Sequence, residues 1–204
     1  STASIQEVLY NVIGTSTTNG CSSPIFPVHV FVNPVPFMSD PSDQLLCNGL
    51  PSQAVNLIST VNNSSFTWSN TNASIGLAAA GTGAIPSFTA VNSTNAPITA
   101  TITVNVHFEN GGVICTGNTE TFTITVNPTP SVTKPIDQEL CNGEFTAAIN
   151  FNGNILGTAF IWTNDLPTAG IGATGIGNIA SFTAINTSTV TEIATILVTP
   201  NYTN

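Results

Sequence analysis

Residues 101–108 read TITVNVHF, so that Ile102, Val104, Val106 and Phe108 fall on one side of an extended backbone while Thr, Asn and His fall on the other. The run TFTITV at 121–126 places Phe122, Ile124 and Val126 in the same way. A period of two marks half-buried antiparallel strands. Between the runs lies ENGGVICTGN, whose Asn-Gly-Gly and Thr-Gly-Asn supply turn chemistry and predict a long hairpin connection. Further strands are expected at 44–47, 54–59, 65–69 and 85–91, and again at 136–140, 145–151, 159–163 and 179–185. No stretch has the 3.6-residue period of an amphipathic helix. Seven or so short strands per unit, separated by Gly, Asn and Ser clusters, predict an all-β Greek-key sandwich of the immunoglobulin kind.

The pattern recurs. Cys21 is matched 94 positions later by Cys115, Cys47 by Cys141, Trp68 by Trp162, Phe88 by Phe182, and Asn33 of VNPVP by Asn127 of VNPTP. A fixed period of domain length predicts tandem sandwiches. On this reading 1–33 is the C-terminal part of a preceding repeat, 34–127 is a complete repeat, and 128–204 is a following repeat lacking its last strand. A longer parent chain is expected. Pro34, Pro36, Pro128 and Pro130 close the strands at VNPVP and VNPTP and read as short semi-rigid linkers, which favour an extended rod.

The recurring residues fit core roles. Trp68 and Trp162 sit mid-strand in FTWSN and FIWTN, and Phe66 shares the strand parity of Trp68, so both are expected to point to one buried face. Phe88 and Phe182 are assigned to the same core. The alternative for the tryptophans is a sugar-stacking platform. The Gly-rich stretches at 76–83 and 172–177 lack a following helix or Lys and read as tight loops at a sheet edge.

Charge narrows the partners. One Lys and no Arg stand against ten carboxylates, for a formal charge of −9. Phosphate backbones and anionic membrane surfaces are bound through Lys and Arg, so neither nucleic acid nor direct membrane insertion is expected. Ser, Thr and Asn make up more than a third of the chain and suit an extracellular surface. Cys21, Cys47, Cys115 and Cys141 then read as structural disulfides. Cys47–Cys115 would be the bond within a repeat. Cys21–Cys47 with Cys115–Cys141, or bonds between neighbouring units, remain open alternatives.

Catalysis needs converging acids, bases or nucleophiles. His29 and His107 are matched by Thr123 and Asn201, so neither recurs, and each has the outward parity of a solvated strand residue. Asp40, Asp43, Asp137, Glu139 and Glu144 gather near the starts of units and are the residues from which a calcium site at a repeat junction would be built. Catalytic and cofactor-binding residues are expected to be absent.

The order CNG, F-x-W, IGL or IGA, G-x-G-x-I, SFTAVN or SFTAIN, ATITV or ATILV, and VNPTP resembles the PKD-like, immunoglobulin-like repeats of large Bacteroidota surface proteins, including flavobacterial gliding-motility adhesins of the SprB type. The resemblance implies export by type IX secretion, display as a filament at the cell surface, and no catalytic residues. One departure is SNTNASIGLAAAGTG against TNDLPTAGIGATGIG, where matching the Ile-Gly pairs moves two residues from one side to the other. The expected function is a structural and adhesive repeat segment, partnered by neighbouring repeats and by an extracellular surface or polysaccharide. The alternatives are a carbohydrate-binding sandwich and a spacer attached to a secreted hydrolase.

Overall fold

Alternation along the chain becomes strand pairing in the computed structural model, which describes residues 3–204. In order the strands are β1 (Gln6–Val12), β2 (Phe26–Val32), β3 (Gln44–Cys47), β4 (Ser65–Asn70), β5 (Ala80–Thr82), β6 (Ile98–Asn110), β7 (Val113–Asn127), β8 (Ala159–Asn164), β9 (Thr174–Ile176) and β10 (Ile196–Asn201). Helix is limited, among the described residues, to two single 3-10 turns at Ala73–Ile75 and Pro167–Ala169. The strands form a hairpin β1-β2, a five-stranded sheet ordered β3-β7-β6-β4-β5, and a three-stranded sheet ordered β10-β8-β9. The protein is therefore an all-β molecule of sandwich type. Its contacts group into two compact units, one of residues up to Leu46 with Leu50–Ala90 and Thr99–Thr125, the other of Cys47–Gly49, Val91–Ile98 and Val126–Asn204.

The inward positions of β6 and β7 are those the alternation selects. Ala100, Ile102, Val104, Val106 and Phe108 are buried on β6, and Phe122, Ile124 and Val126 on β7. The layer facing this sheet is thinner than expected. Segments 54–59 and 85–91 are not ladders but extended stretches joined at isolated bridges, Pro51 with Thr89 and Val55 with Ile85, and their counterparts pair Phe145 with Thr183 and Ile149 with Ile179. Side chains interrupt the ladder: the Ser52 hydroxyl accepts from Phe88 N–H while Ser87 donates to Ser52 O, and Thr146, Phe182 and Ser181 repeat both bonds. Such local bonds compete with sheet pairing.

Three further expectations change. The β6–β7 connection is a two-residue turn at Gly111–Gly112, with φ of 59° and 76°, the doubly positive form of the tight hairpin turns. Gly117 lies within β7, where an added Cβ would meet Pro36 O at 2.1 Å, so this glycine admits a crossing chain instead of making a turn. The VNPVP segment is no free linker: Pro34 and Pro36 are buried, and Asn118 on β7 holds both the N–H and the carbonyl of buried Met38 at 2.8 Å. In the second compact unit VNPTP is likewise held, with the Asn48 side chain donating to Thr129 Oγ1 and Asn154 donating to both Asn95 and Thr129 O.

The loop between β4 and β5 matches that between β8 and β9 position by position, correcting the displaced Ile-Gly match. Each begins with a 3-10 turn capped by a left-handed glycine, Gly76 or Gly170. Buried Asn70 and Asn164 pin the loops, donating to Leu77 O and Ala78 O, and to Ile171 O and Gly172 O. The loops then run into strands whose central glycines lie opposite the tryptophans, Gly81 across from Trp68 and Gly175 across from Trp162. The indoles occupy the space a side chain would take. A Cβ on Gly81 would lie 2.2 Å from Trp68 and one on Gly175 2.1 Å from Trp162. Trp162 also donates from Nε1 to Gly177 O at 3.1 Å.

Overpacking of this kind costs about 1–3 kcal/mol. Gly81→Ala and Gly175→Ala are each expected to lower stability by that amount in denaturant titrations. Gly172→Ala, where the nearest atom is Thr174 O at 3.8 Å, is the control that should leave stability nearly unchanged.

Candidate functional surface

Trp68 and Trp162 are only 7% and 8% exposed, so neither offers a ring to a sugar. Phe151, Trp162 and Ile179 form the buried centre of residues 128–204, with Phe182, Ile196 and Val198 packed against them. Phe88 and Phe182 are half-buried.

The histidines lie on open faces. His29 pairs with Glu7 across the β1–β2 hairpin and stacks on Phe31, while His107 reaches Thr116 Oγ1 at 3.3 Å. The carboxylates expected to cluster are drawn to separate partners instead. Asp43 accepts the Thr123 N–H at 2.6 Å, Asp137 pairs with Lys134 at 2.9 Å, and Glu144 accepts the Cys141 N–H at 2.8 Å. No group of three or more His, Cys, Asp or Glu converges among the described residues, so the calcium-junction donors do not form a coordination set. The Thr123 backbone N–H, and secondarily its hydroxyl, hold the Asp43 carboxyl below its ordinary value of 3.8.

The disulfide expectation is corrected. Cys21, Cys47, Cys115 and Cys141 are all unpaired; three are exposed and Cys115 is half-buried. For Cys47 and Cys115 the reason is geometric. β3 pairs with β7, Asp43 lying beside Thr123 and Asn48 N–H donating to Asn127 O, so the pairings ascend together as in parallel strands. Cys47 therefore sits near the end of β7, while Cys115 is twelve residues before Asn127 on the same strand. Twelve residues of extended chain span roughly 40 Å. A disulfide needs Cα atoms within about 7 Å.

A shallow groove of about 300 Å³ is lined by residues 39–44 and 53–58, including Asp40, Asp43, Gln44, Gln53 and Asn56. It holds no aromatic side chain. No helix among the described residues is long and apolar enough to cross a membrane.

Sequence reasoning missed what the abundant Asn residues do. Asn92 is buried: its N–H is held by Asn48 Oδ1, and its side chain donates to Ala96 O and, at 2.7 Å, to Val126 O on β7. Asn186 repeats the bonds to Asn142 and Val190 O. The signal was the 94-residue recurrence of Asn48 with Asn142 and of Asn92 with Asn186, masked by a composition rich in Asn.

Apolar side chains are also exposed on strand faces. Both faces of the β1–β2 hairpin are exposed. Val8, Tyr10, Val12, Val28, Val30 and Val32 stand 94 positions before Ile102, Val104, Val106, Phe122, Ile124 and Val126. Val30 is 42% exposed where Ile124 is fully buried. The hairpin thus shows the face that β6 and β7 turn to a core.

No known family model matches the chain, and no curated protein sequence matches it.

Two outcomes follow from these placements. Reducing agent should leave the melting temperature unchanged, and thiol titration should count four free thiols, with Cys115 the slowest to react. Because Asp43 has a lower pKa folded than unfolded, its contribution is present above the unfolded value and is lost as pH falls through the folded one. Asp43→Asn, which lacks the charge at every pH, should therefore be less stable than the parent near neutrality, converge on it as pH falls, and so flatten the acid limb of the stability–pH curve below about pH 4.

Proposed function

We propose that this chain is a non-enzymatic segment of a long secreted surface protein, in which tandem β-sandwiches act as structural and adhesive spacers. The observation that carries the reading is the use made of the recurring residues. Trp68 and Trp162 are buried over Gly81 and Gly175, Asn70 and Asn164 pin equivalent loops, and Ser52 and Thr146 tie equivalent segments. What repeats is packing; the histidines and the lysine do not repeat. The held VNPTP segment supports short, stiff connections between repeats. The resemblance to PKD-like repeats of Bacteroidota adhesins supports export and surface display, with neighbouring repeats as the first partners and an extracellular surface or polysaccharide met through many weak contacts. Linked weak sites gain on the order of 10²–10⁴-fold in avidity where geometry permits.

Small-angle scattering on chains of two, four and six repeats tests the spacer reading. Maximum dimension should grow by a constant step per repeat while the cross-sectional radius stays fixed; a globular profile would contradict it. Antibodies to this chain should label intact source cells without permeabilisation, and exclusive labelling of lysed cells would sink surface display.

A further inference from the structure

Side chains that do not recur with the period gather at one place in the complete copy. His107 and Glu109 stand two apart on β6 and so project from one face of the strand. Ser65 on β4 lies directly opposite His107. With Ile114 and Thr116 of β7 they line a hollow of about 270 Å³. The period sets Ile13 and Thr15 against His107 and Glu109 on one side, and Ala159 and Asn201 against Ser65 and His107 on the other. Strand pairing at these positions therefore does not call for an imidazole beside a carboxylate.

The two groups are also unspent. Thr116 Oγ1 lies 3.3 Å from Nδ1 of His107, which leaves Nε2 as the free ring nitrogen. Among the described residues no hydrogen bond or ion pair engages Nε2 or the Glu109 carboxylate. Other carboxylates are already held: Glu7 by His29, Glu120 by Asn118, and Asp137 by Lys134.

We propose that His107 and Glu109 bind a divalent transition-metal ion of the zinc class, with Nε2 and the carboxylate as its protein ligands and water in the remaining positions. Imidazole nitrogen and carboxylate oxygen are both ordinary zinc donors. A metal on Nε2 leaves the ring proton on Nδ1, where Thr116 Oγ1 accepts it. A partner of this kind fixes the tautomer and orientation of a ligating imidazole. The Ser65 hydroxyl borders the hollow and is placed to bond a metal-bound water. The charge of −9, opposed by a single lysine, raises the concentration of cations near the surface. Two protein donors make this an open, exchangeable site and not a closed structural one.

The test is a titration of zinc chloride into the 204-residue chain, with the histidine ring nitrogens and the backbone amides followed by NMR. This readout separates the imidazole from the exposed thiols. The His107 Nε2 resonance should shift saturably below millimolar zinc, together with the amides of Ser65 and Glu109, while the ring of His29 does not follow. Thr116→Val should weaken binding about tenfold, and Thr116→Ser, which keeps the hydroxyl, should retain it. Glu109→Gln should weaken it more than Thr116→Val does. His107→Ala should abolish the amide shifts, whereas His29→Ala and Cys115→Ser should leave them intact. Circular dichroism and the amides of buried Val104 and Val106 report that each variant keeps its fold. No shift of His107 at millimolar zinc would overturn the proposal. So would an affinity indifferent to Glu109→Gln, which marks a lone imidazole, or one lost in Cys115→Ser, which marks a thiol site.

Discussion

In the complete copy a single strand holds two neighbours and a layer together. β7 pairs with β6 along one edge and β3 along the other, and turns Phe122, Ile124 and Val126 into the core. The polar bonds of Asp43, Asn48 and Asn92 all end on it. The chain carries an internal comparison, because residues 128–204 repeat the same positions without such a strand at the edge of β10. There the segments matching β3 and the start of β6 are not strands, and the alanines matching Ala90 and Ala100 are half-buried. What remains is the small cluster around Phe151, Trp162 and Ile179. Sheet order follows from this: a strand with one available neighbour forms only when that neighbour is present.

The facing layer shows a different way to satisfy an extended backbone. Its segments touch at isolated bridges, and polar side chains take up the groups that a ladder would have used. Gln44 holds the Gln53 N–H and carbonyl with its own side-chain amide, and Gln138 does the same for Ala147. Buried backbone groups must find partners, and short side chains beside them can serve. A sequence more than one-third Ser, Thr and Asn therefore spends part of that content on internal bonds as well as on solubility.

Legibility in the sequence tracked the physical origin of each element. β4, β6, β7 and β8 were readable because one face is buried and the other is not, which writes a period of two into the chain. The tryptophans were readable as core because they share parity with flanking apolar residues. The bridged segments 54–59 and 85–91 also alternate, but alternation reports burial and not pairing, so their lack of a ladder was invisible. Gly117 and Gly81 were indistinguishable from turn glycines, since close approach by Pro36 or an indole leaves the same letter. The Cys47–Cys115 pairing failed because the turn before the second strand of a sandwich and the turn between its last two strands lie at opposite ends, an objection that sandwich topology already raises against it. The apolar strand faces at either end of the chain were legible only as incomplete repeats; that they are open came from comparing matched positions.

Exposed sheet edges invite indiscriminate pairing unless something limits them. Two features do so here. Pro27 lies in β2 and Pro200 in β10, at places where the complete copy has Thr121 and Val106, and proline removes a backbone donor from each of these strands. The charge of −9, almost unopposed by cations, adds long-range repulsion between molecules.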